Sequence, residues 1–428
     1  MKFPSLNDLD REQKRVYGQA PNDGAILVVG PPGTGKTVMA MHRAMKCQQL
    51  GQKPSVIMFN RVLRRYSSAW SGIAKDIELT TMHTWLNAWW RKGRMGHLPK
   101  VSRWVVDWEE LLDRVVALEQ DSEKLSALNW GHLIIDEGQD FPEEMYFCLG
   151  RILKHFKRCG ISAQLTVFAD DNQRLQKDNN CTVKNIAANL SISRDNNREF
   201  FLSKNHRNTL EVAKFARYFQ VGKTSGASKL PSKSGEVPSV DFFENDRSLS
   251  DFVARKLKIS VGKQVGVIVN GSQKDVKRVK NQLETRLKDS NWKTQFYTSS
   301  EWKTVDELDF SSPNTLTVLH QASAKGLEFD IVFYVGLERV DMDGSGGMNE
   351  RMAAYVMASR AREELRISLT ALDMDAGAPD GVKLLPSPSL QLCRFEGFDG
   401  HKTKLASFLE KVDWREPEEG SPFWTEVA

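Results

Sequence analysis

The chain has 428 residues, of which 40% are apolar and 27% charged, and a formal net charge of +5. That length accommodates two or three domains with sizeable cores, and the composition is that of an ordinary soluble globular protein. The mild basicity permits a nucleic-acid partner without establishing one.

No apolar run approaches the length of a membrane-spanning helix, and the opening MKFPSLNDLD lacks the apolar centre of a signal peptide. The expectation is therefore a cytoplasmic protein with no membrane partner. Cys47, Cys148, Cys159, Cys181 and Cys393 are scattered without a CxxC pair, as expected of buried or incidental thiols in a reducing compartment.

In chain order, Leu9 to Tyr17 reads as an amphipathic helix with an acidic start, and it contains Gln13. The apolar run Ala25 to Val29 reads as a buried parallel strand. It feeds Gly30-Pro31-Pro32-Gly33-Thr34-Gly35-Lys36-Thr37, which matches GxxxxGK[ST] at every fixed position. Glycines let backbone N–H groups close on a triphosphate and the following helix aims its positive end at the same charge. Lys36 then reaches the β and γ oxygens, and the Thr37 hydroxyl can ligate Mg²⁺. The expected cofactors are ATP and Mg²⁺.

A helix through about Leu50 and a strand Ser55 to Phe59 complete a βαβ unit, which calls for a parallel sheet covered by helices on both faces. From 61 to 130 the texture changes. Trp70, Trp85, Trp89, Trp90, Trp104, Trp108 and Trp130 crowd together with the basic stretch Arg91 to Arg94, Lys100 and Arg103. Interleaved rings and cations suit a single-strand groove, while tryptophans at helical spacing are more often core.

The strand His132 to Ile135 ends in Asp136-Glu137-Gly138-Gln139-Asp140. Acids at a strand's carboxyl end lie where such sheets bind ligands, so Asp136 is read as the Mg²⁺ holder and Glu137 as the base that deprotonates the attacking water. Gln164 to Ala169 gives another buried strand, ending in Asp170-Asp171-Asn172-Gln173, and Glu199 to Ser203 leads into Lys204-Asn205-His206-Arg207-Asn208.

The second half repeats the rhythm. Strands are expected over Val237 to Phe243, Gln264 to Val269, Thr294 to Tyr297, Thr315 to Leu319, Ile331 to Val335 and Leu365 to Leu369. Helices are expected over Leu249 to Ile259, Ser272 to Leu287 and Met352 to Ala361. This layer has no phosphate loop of its own, which suggests one nucleotide held between two lobes. The acidic tail from about Asp413 is expected to be loosely ordered.

Taken together, GPPGTGKT, TMHT at 81 to 84, DEGQD at 136 to 140, ADDNQ at 169 to 173, LSKNHRN at 202 to 208, TVLHQASAKGLEF at 317 to 329 and ASRAREEL at 358 to 365 resemble, in order, the motifs of the UvrD/Rep-like helicases. These are the A subclass of superfamily 1, and the likeness runs from about residue 6 to residue 370. It implies an α/β fold of two RecA-like doubly wound lobes, 1–204 with a helical insertion at about 84–130 and 205–428 with arginine fingers. The implied activity is ATP hydrolysis driving 3′ to 5′ movement on single-stranded or partly duplex DNA.

By the same resemblance, Gln13 would read the adenine edge and Gln173 would sense the γ-phosphate. Arg207 and Arg360 would act as charge-stabilising fingers, and Glu328 would hold the ribose. Asn60, Arg61, Thr81, His83 and His320 would touch the DNA strand. His206 stands where the family has a tyrosine that stacks on adenine, and Arg174 to Lys177 where it has an aromatic that stacks on DNA.

About twenty residues separate Tyr297 from Thr317, where larger relatives insert a 2B subdomain. A chain without it resembles the small helicase-like subunits of two-gene antiviral systems such as Gabija, which implies a nuclease protein partner. A nucleotide-gated sensor that regulates a partner without separating strands is the alternative.

Overall fold

The computed structural model describes residues 3–68, 77–173, 181–193, 196–221, 226–342 and 347–417, with Ser421 and Phe423. The chain divides into two compact units, Lys2–Ser203 and Lys204–Gly222 with Ala227–Ala428.

The first unit is built on β1 (Gly24–Val29), β2 (Pro54–Met58), β3 (Glu78–Thr81), β4 (His132–Ile135), β5 (Gln164–Ala169) and β6 (Glu199–Phe201), in the order β3-β2-β4-β5-β1-β6. Every pairing is parallel. GAILVV, HLII and QLTVFA are near-continuous apolar runs because both faces of a parallel sheet are covered. Alternate residues Ala25, Leu27 and Val29 of β1 and Leu133 and Ile135 of β4 enter one core with Trp85, Trp89, Trp90, Trp108 and Trp130. The helix Lys36–Gln49 packs on β2, β4 and β5.

The second unit holds β7 (Ser239–Phe243), β8 (Gln264–Val269), β9 (Lys293–Tyr297), β10 (Thr315–His320), β11 (Phe329–Val335), β12 (Ala361–Thr370) and β13 (Arg394–Gly397). Their order is β13-β7-β12-β11-β8-β10-β9, again entirely parallel. Both sheets are doubly wound α/β layers of the RecA-like kind, with helices between successive strands. Between β9 and β10 the chain makes only the short helix Ser299–Glu307 and a loop.

Three details depart from the sequence reading. The helix expected to run to Ala361 stops at Ala358, and Ala361 already opens β12, because Phe329 donates its N–H to the Arg360 carbonyl at 3.0 Å and draws the chain into the sheet. The edge strands β3 and β13 were not anticipated. The tail is partly anchored: Trp414 packs edge-on to Phe395 at 5.7 Å, Arg415 donates its N–H to the Lys383 carbonyl at 2.8 Å, and Phe423 meets Tyr218 at 5.4 Å.

One buried charge chain crosses the second sheet. Arg366 on β12 pairs with Asp241 on β7 at 2.9 Å and with Glu364 at 2.7 Å, and Glu364 in turn takes Lys256 at 2.9 Å. Burial pushes the Asp241 carboxyl up to about 6 against the opposing pull of Arg366. Arg366→Ala would strand Asp241 in the interior, and urea unfolding of this variant is expected to show a loss of about 3–5 kcal/mol. Adding Asp241→Asn should restore part of it; no recovery would mean that packing around the guanidinium, not its charge, is what counts.

Candidate functional site

Parallel pairing brings three carboxyl ends side by side, because β5 lies between β4 and β1. Register aligns Val29 with Ala169 and Ile135 with Val167, so the segments leaving these strands emerge into one crevice. Those segments are the 30–37 loop after β1, Asp136-Glu137 after β4 and Asp170-Asp171 after β5.

The loop is folded for close backbone approach. Gly33 and Gly35 take left-handed φ of 81° and 83°, and a Cβ on Gly35 would stand 2.6 Å from the Gln13 amide nitrogen. Gln13 itself is 5% exposed: its amide donates to the Thr34 carbonyl at 3.1 Å and its carbonyl accepts from Asp10 N–H at 3.1 Å. The Thr34 hydroxyl donates to the Pro31 carbonyl at 2.9 Å, and Pro32 is buried. The loop therefore comes pre-shaped by its own side chains, and it opens the 14-residue helix Lys36–Gln49, whose N-terminus favours an anion.

Lys36 is 6% exposed, and its ammonium donates to the Gly30 and Pro31 carbonyls at 2.6 and 3.2 Å, with Asp170 at 3.9 Å. Thr37 donates its hydroxyl to Asp136 Oδ2 at 2.7 Å. Asp136 has no exposed surface, and its carboxyl is pushed up to about 7, by burial first and by the charge of Glu137 next, against the Thr37 bond and Lys36. Glu137 sits at a left-handed φ of 54°, and Gln139 donates its amide to Glu137 Oε2 at 2.6 Å. The Gln139 carbonyl accepts from Asp170 N–H at 2.9 Å, which fixes the amide's orientation.

This donor set suits a nucleotide with a divalent cation. A hydroxyl and a carboxylate already lie in contact, burial and then Glu137 push that carboxyl toward its neutral form, and a lysine directs its protons at carbonyls at the loop's mouth. Among the described residues there is no separate cluster of three or more His, Cys, Asp or Glu for another metal.

The second unit has its own polar knot, at the amino ends of β11 and β12. Arg207 pairs with Glu328 Oε1 at 2.5 Å and donates to the Ser359 carbonyl at 3.3 Å. Arg362 holds Glu328 Oε2 at 3.3 Å and Asp330 at 3.1 Å. Burial alone would raise the Glu328 carboxyl, but Arg207 and Arg362 outweigh it and hold it at about 2. Arg360 is 1% exposed and donates to the Val356 and Leu327 carbonyls at 2.8 and 3.4 Å and to the Ser359 hydroxyl at 2.9 Å. Asn205 accepts from Arg207 N–H at 2.9 Å, and Asn208 donates to the Ser359 and Ala361 carbonyls, so the segment 205–208 is stitched to the turn before β12. His206 is exposed.

The residues expected at DNA lie at carboxyl ends. Asn60 follows β2 and accepts from Leu63 N–H at 2.7 Å, capping the helix Arg61–Ser68, and Arg61 is exposed. Thr81 ends β3, its hydroxyl 3.0 Å from that of Thr84. His320 ends β10, with Nε2 bonded to the Gly271 carbonyl at 2.9 Å and Nδ1 accepting from Ala322 N–H at 3.2 Å. His83 stands 6.1 Å from Trp104 in a cleft of about 860 Å³, and burial, then Lys100, lowers its pKa.

Of the tryptophans, Trp85, Trp89, Trp90, Trp108 and Trp130 are core, with Trp85 stacked on Trp89 at 5.4 Å; Trp104 is 65% exposed. Trp70, residues 174–177 and the Gln173 side chain lie outside the described residues. Four partners, Gln139, Asp170, Asn208 and Arg362, lie inside the motifs at 136–140, 169–173, 202–208 and 358–365, but the group each one holds is set by packing and carries no signal in sequence.

Because the folded Asp136 carboxyl titrates above its ordinary range, the stability it contributes is complete below about pH 4 and lost as pH rises through about 7. Asp136→Asn removes that slope. The nucleotide-free variant's advantage over wild type should grow between pH 5 and pH 8, by on the order of 1–3 kcal/mol. A thermal-melt difference that is the same at both pH values would refute the assignment.

Residues 13–177 match the family model described as an AAA domain. No curated protein matches. Among solved structures, the chain described as the C-terminal domain of a possible DNA helicase from Lactobacillus strain WCFS1 is 18% identical, over 44% of this chain and 97% of that one, at a TM-score of 0.31. Residues 13–177 of the first unit are thus similar to an AAA domain.

Proposed function

We propose that the protein is an ATPase that moves 3′ to 5′ along single-stranded DNA, as a translocase or helicase of the UvrD/Rep-like kind. The observation that carries the ATPase part is the convergence of Lys36, the Thr37–Asp136 pair, the Gln139-held Glu137 and Asp170 at three adjacent strand ends. The DNA part rests on the ordered motifs, and the AAA-domain match agrees with the first of them.

In this reading the backbone of Gly30 to Thr37 cradles the polyphosphate, Gln13 meets the adenine edge, and Thr37 with Asp136 holds Mg²⁺. ATP supplies a terminal phosphoryl group for transfer to water. Glu137 accepts the water's proton, with Gln139 keeping its carboxylate in one orientation, and Lys36 offsets charge on the phosphate oxygens. Gln173 reports the γ-phosphate.

Arg207 and Arg360 supply further positive charge, for which each must exchange its present partners, Glu328 or the carbonyls of Val356 and Leu327. Glu328, released from Arg207, becomes available to the ribose, and His206 to the base. Asn60, Arg61, Thr81, His83 and His320 are the proposed strand contacts. The compact chain would work with a nuclease partner in antiviral defence or DNA repair.

Turnover should rise strongly when single-stranded DNA is added, and Lys36→Ala or Glu137→Gln should abolish it. Nucleotide binding with no turnover in the wild type would favour the sensor instead. Arg360→Ala should cost about 10²-fold or more in kcat while leaving most ATP affinity, since its charge matters as the phosphoryl group departs. Strand displacement on 3′- and 5′-overhang duplexes, alone and with the product of the neighbouring gene, decides direction and dependence on a partner; preference for the 5′ overhang would sink the polarity.

A further inference from the structure

The cleft beside β3 is not part of the nucleotide site, and its composition points to a protein ligand. It lies wholly within the first unit, and its apolar wall is Phe59, Val101, Trp104, Val105, Phe141 and Phe147. Twelve large hydrophobics are exposed among the described residues, and four of them, Val101, Trp104, Val105 and Phe147, gather at this wall. Scattered exposed hydrophobics need no explanation, but a group around a concave surface marks an interaction site.

The polar lining has one sign. Asp107, Glu109, Asp140, Glu143 and Glu144 contribute five carboxylates, and no lysine or arginine lines the cleft among the described residues. Asp107 caps the helix Trp108–Val116 by accepting from Glu110 N–H at 3.0 Å, and Glu143 accepts from the amides of Asn185 and Asn189 at 2.5 and 3.2 Å. Glu109 and Glu144 are exposed, and neither has an ion-pair partner among the described residues.

Three cations stand nearby: Lys100 acts on His83, the Arg103 guanidinium lies 5.0 Å over the Trp104 ring, and that of Arg151 lies 5.2 Å over the Phe147 ring. The second contact shows that this ring face accepts a guanidinium. A nucleic-acid strand reaching Thr81 and His83, which line the same cleft, would bring its phosphates beside these carboxylates. A peptide with basic residues flanking a large apolar side chain satisfies both the wall and the acids.

We propose that this cleft docks a cationic peptide segment of a partner protein, with an apolar anchor against Trp104 and Phe147 and flanking lysines or arginines facing Glu109 and Glu144. Aromatic anchors in a concave site ringed by complementary charge are where binding energy concentrates. The inference stands on the cleft; because Thr81 and His83 line it too, a bound peptide would exclude a DNA strand from those two residues.

The test uses the full-length protein and a fluorescein-labelled peptide alternating lysine with leucine and phenylalanine. A matched peptide with glutamate in place of lysine and a labelled oligo-dT serve as the other probes, all read by anisotropy. The cationic peptide should bind and the acidic one should not, with affinity falling as salt rises. Trp104→Ala with Phe147→Ser should weaken it at least about 10-fold and leave oligo-dT affinity unchanged within about 2-fold, Glu109→Lys with Glu144→Lys should weaken it by a similar factor, and DNA-free ATP turnover should stay within about 2-fold in both. All four side chains are exposed, and circular dichroism of each variant reports retained folding. Absence of cationic-peptide binding to the wild type, or equal binding by both double variants, overturns the proposal. So does loss of oligo-dT affinity in the Trp104→Ala, Phe147→Ser variant, which would make the cleft a base-stacking groove.

Discussion

Everything in the first unit depends on burying charge at the carboxyl ends of β1, β4 and β5. Lys36 is 6% exposed, Glu137 4%, and Asp136 and Asp170 not at all. Such groups are costly to desolvate, and here they are held by carbonyls, a hydroxyl, amides and one another rather than by water. The balance is incomplete. Burial first, and the charge of Glu137 next, drive Asp136 toward its neutral form. A bound cation would favour the ionised carboxylate, which is the physical sense in which the pocket suits a divalent cation with a polyphosphate.

The second unit answers the same problem with guanidinium groups. Arg207, Arg360 and Arg362 gather at the amino ends of β11 and β12, where Glu328 and a ring of carbonyls hold them. His320 stands at the opposite, carboxyl end of the same sheet, on β10. One sheet therefore carries cations suited to phosphate at one end and a strand-contact candidate at the other, so a shift of the sheet as a body would move both together. Their present partners are carbonyls, a hydroxyl and Glu328, so acting on a ligand would exchange some of these bonds for others. Such an exchange is the kind of step that couples binding to rearrangement.

The aromatic-rich segment shows how one composition serves two ends. Stacking of Trp85 on Trp89, with Trp130 against both and its indole N–H donating to the Gln164 carbonyl at 3.0 Å, builds a core that carries β4 and β5. Trp104, with no helix to bury it, is left beside the acidic cleft. Spacing distinguishes the two cases only in part, since Trp104 and Trp108 are four apart and just one is buried.

The apolar runs by themselves determined β4, β5 and β8 to the residue, and the motif at 30–37 determined its cradle, because continuous hydrophobicity and obligatory glycines are local properties. Short edge strands were illegible: Glu78–Thr81 and Arg394–Gly397 are polar and become strands only because a neighbour's ladder is there to receive them. The helix end at Ala358 was decided in the same way, by a backbone bond from Phe329. The pairing of Arg207 with Glu328, 121 positions apart, the holding of Glu137 by Gln139 and the single sign of charge in the cleft are all properties of packing. Residue type fixes which chemistry a position can perform. Which partner a charged side chain meets is set by the fold, because Coulomb and hydrogen-bond energies depend on distance in space, not along the chain.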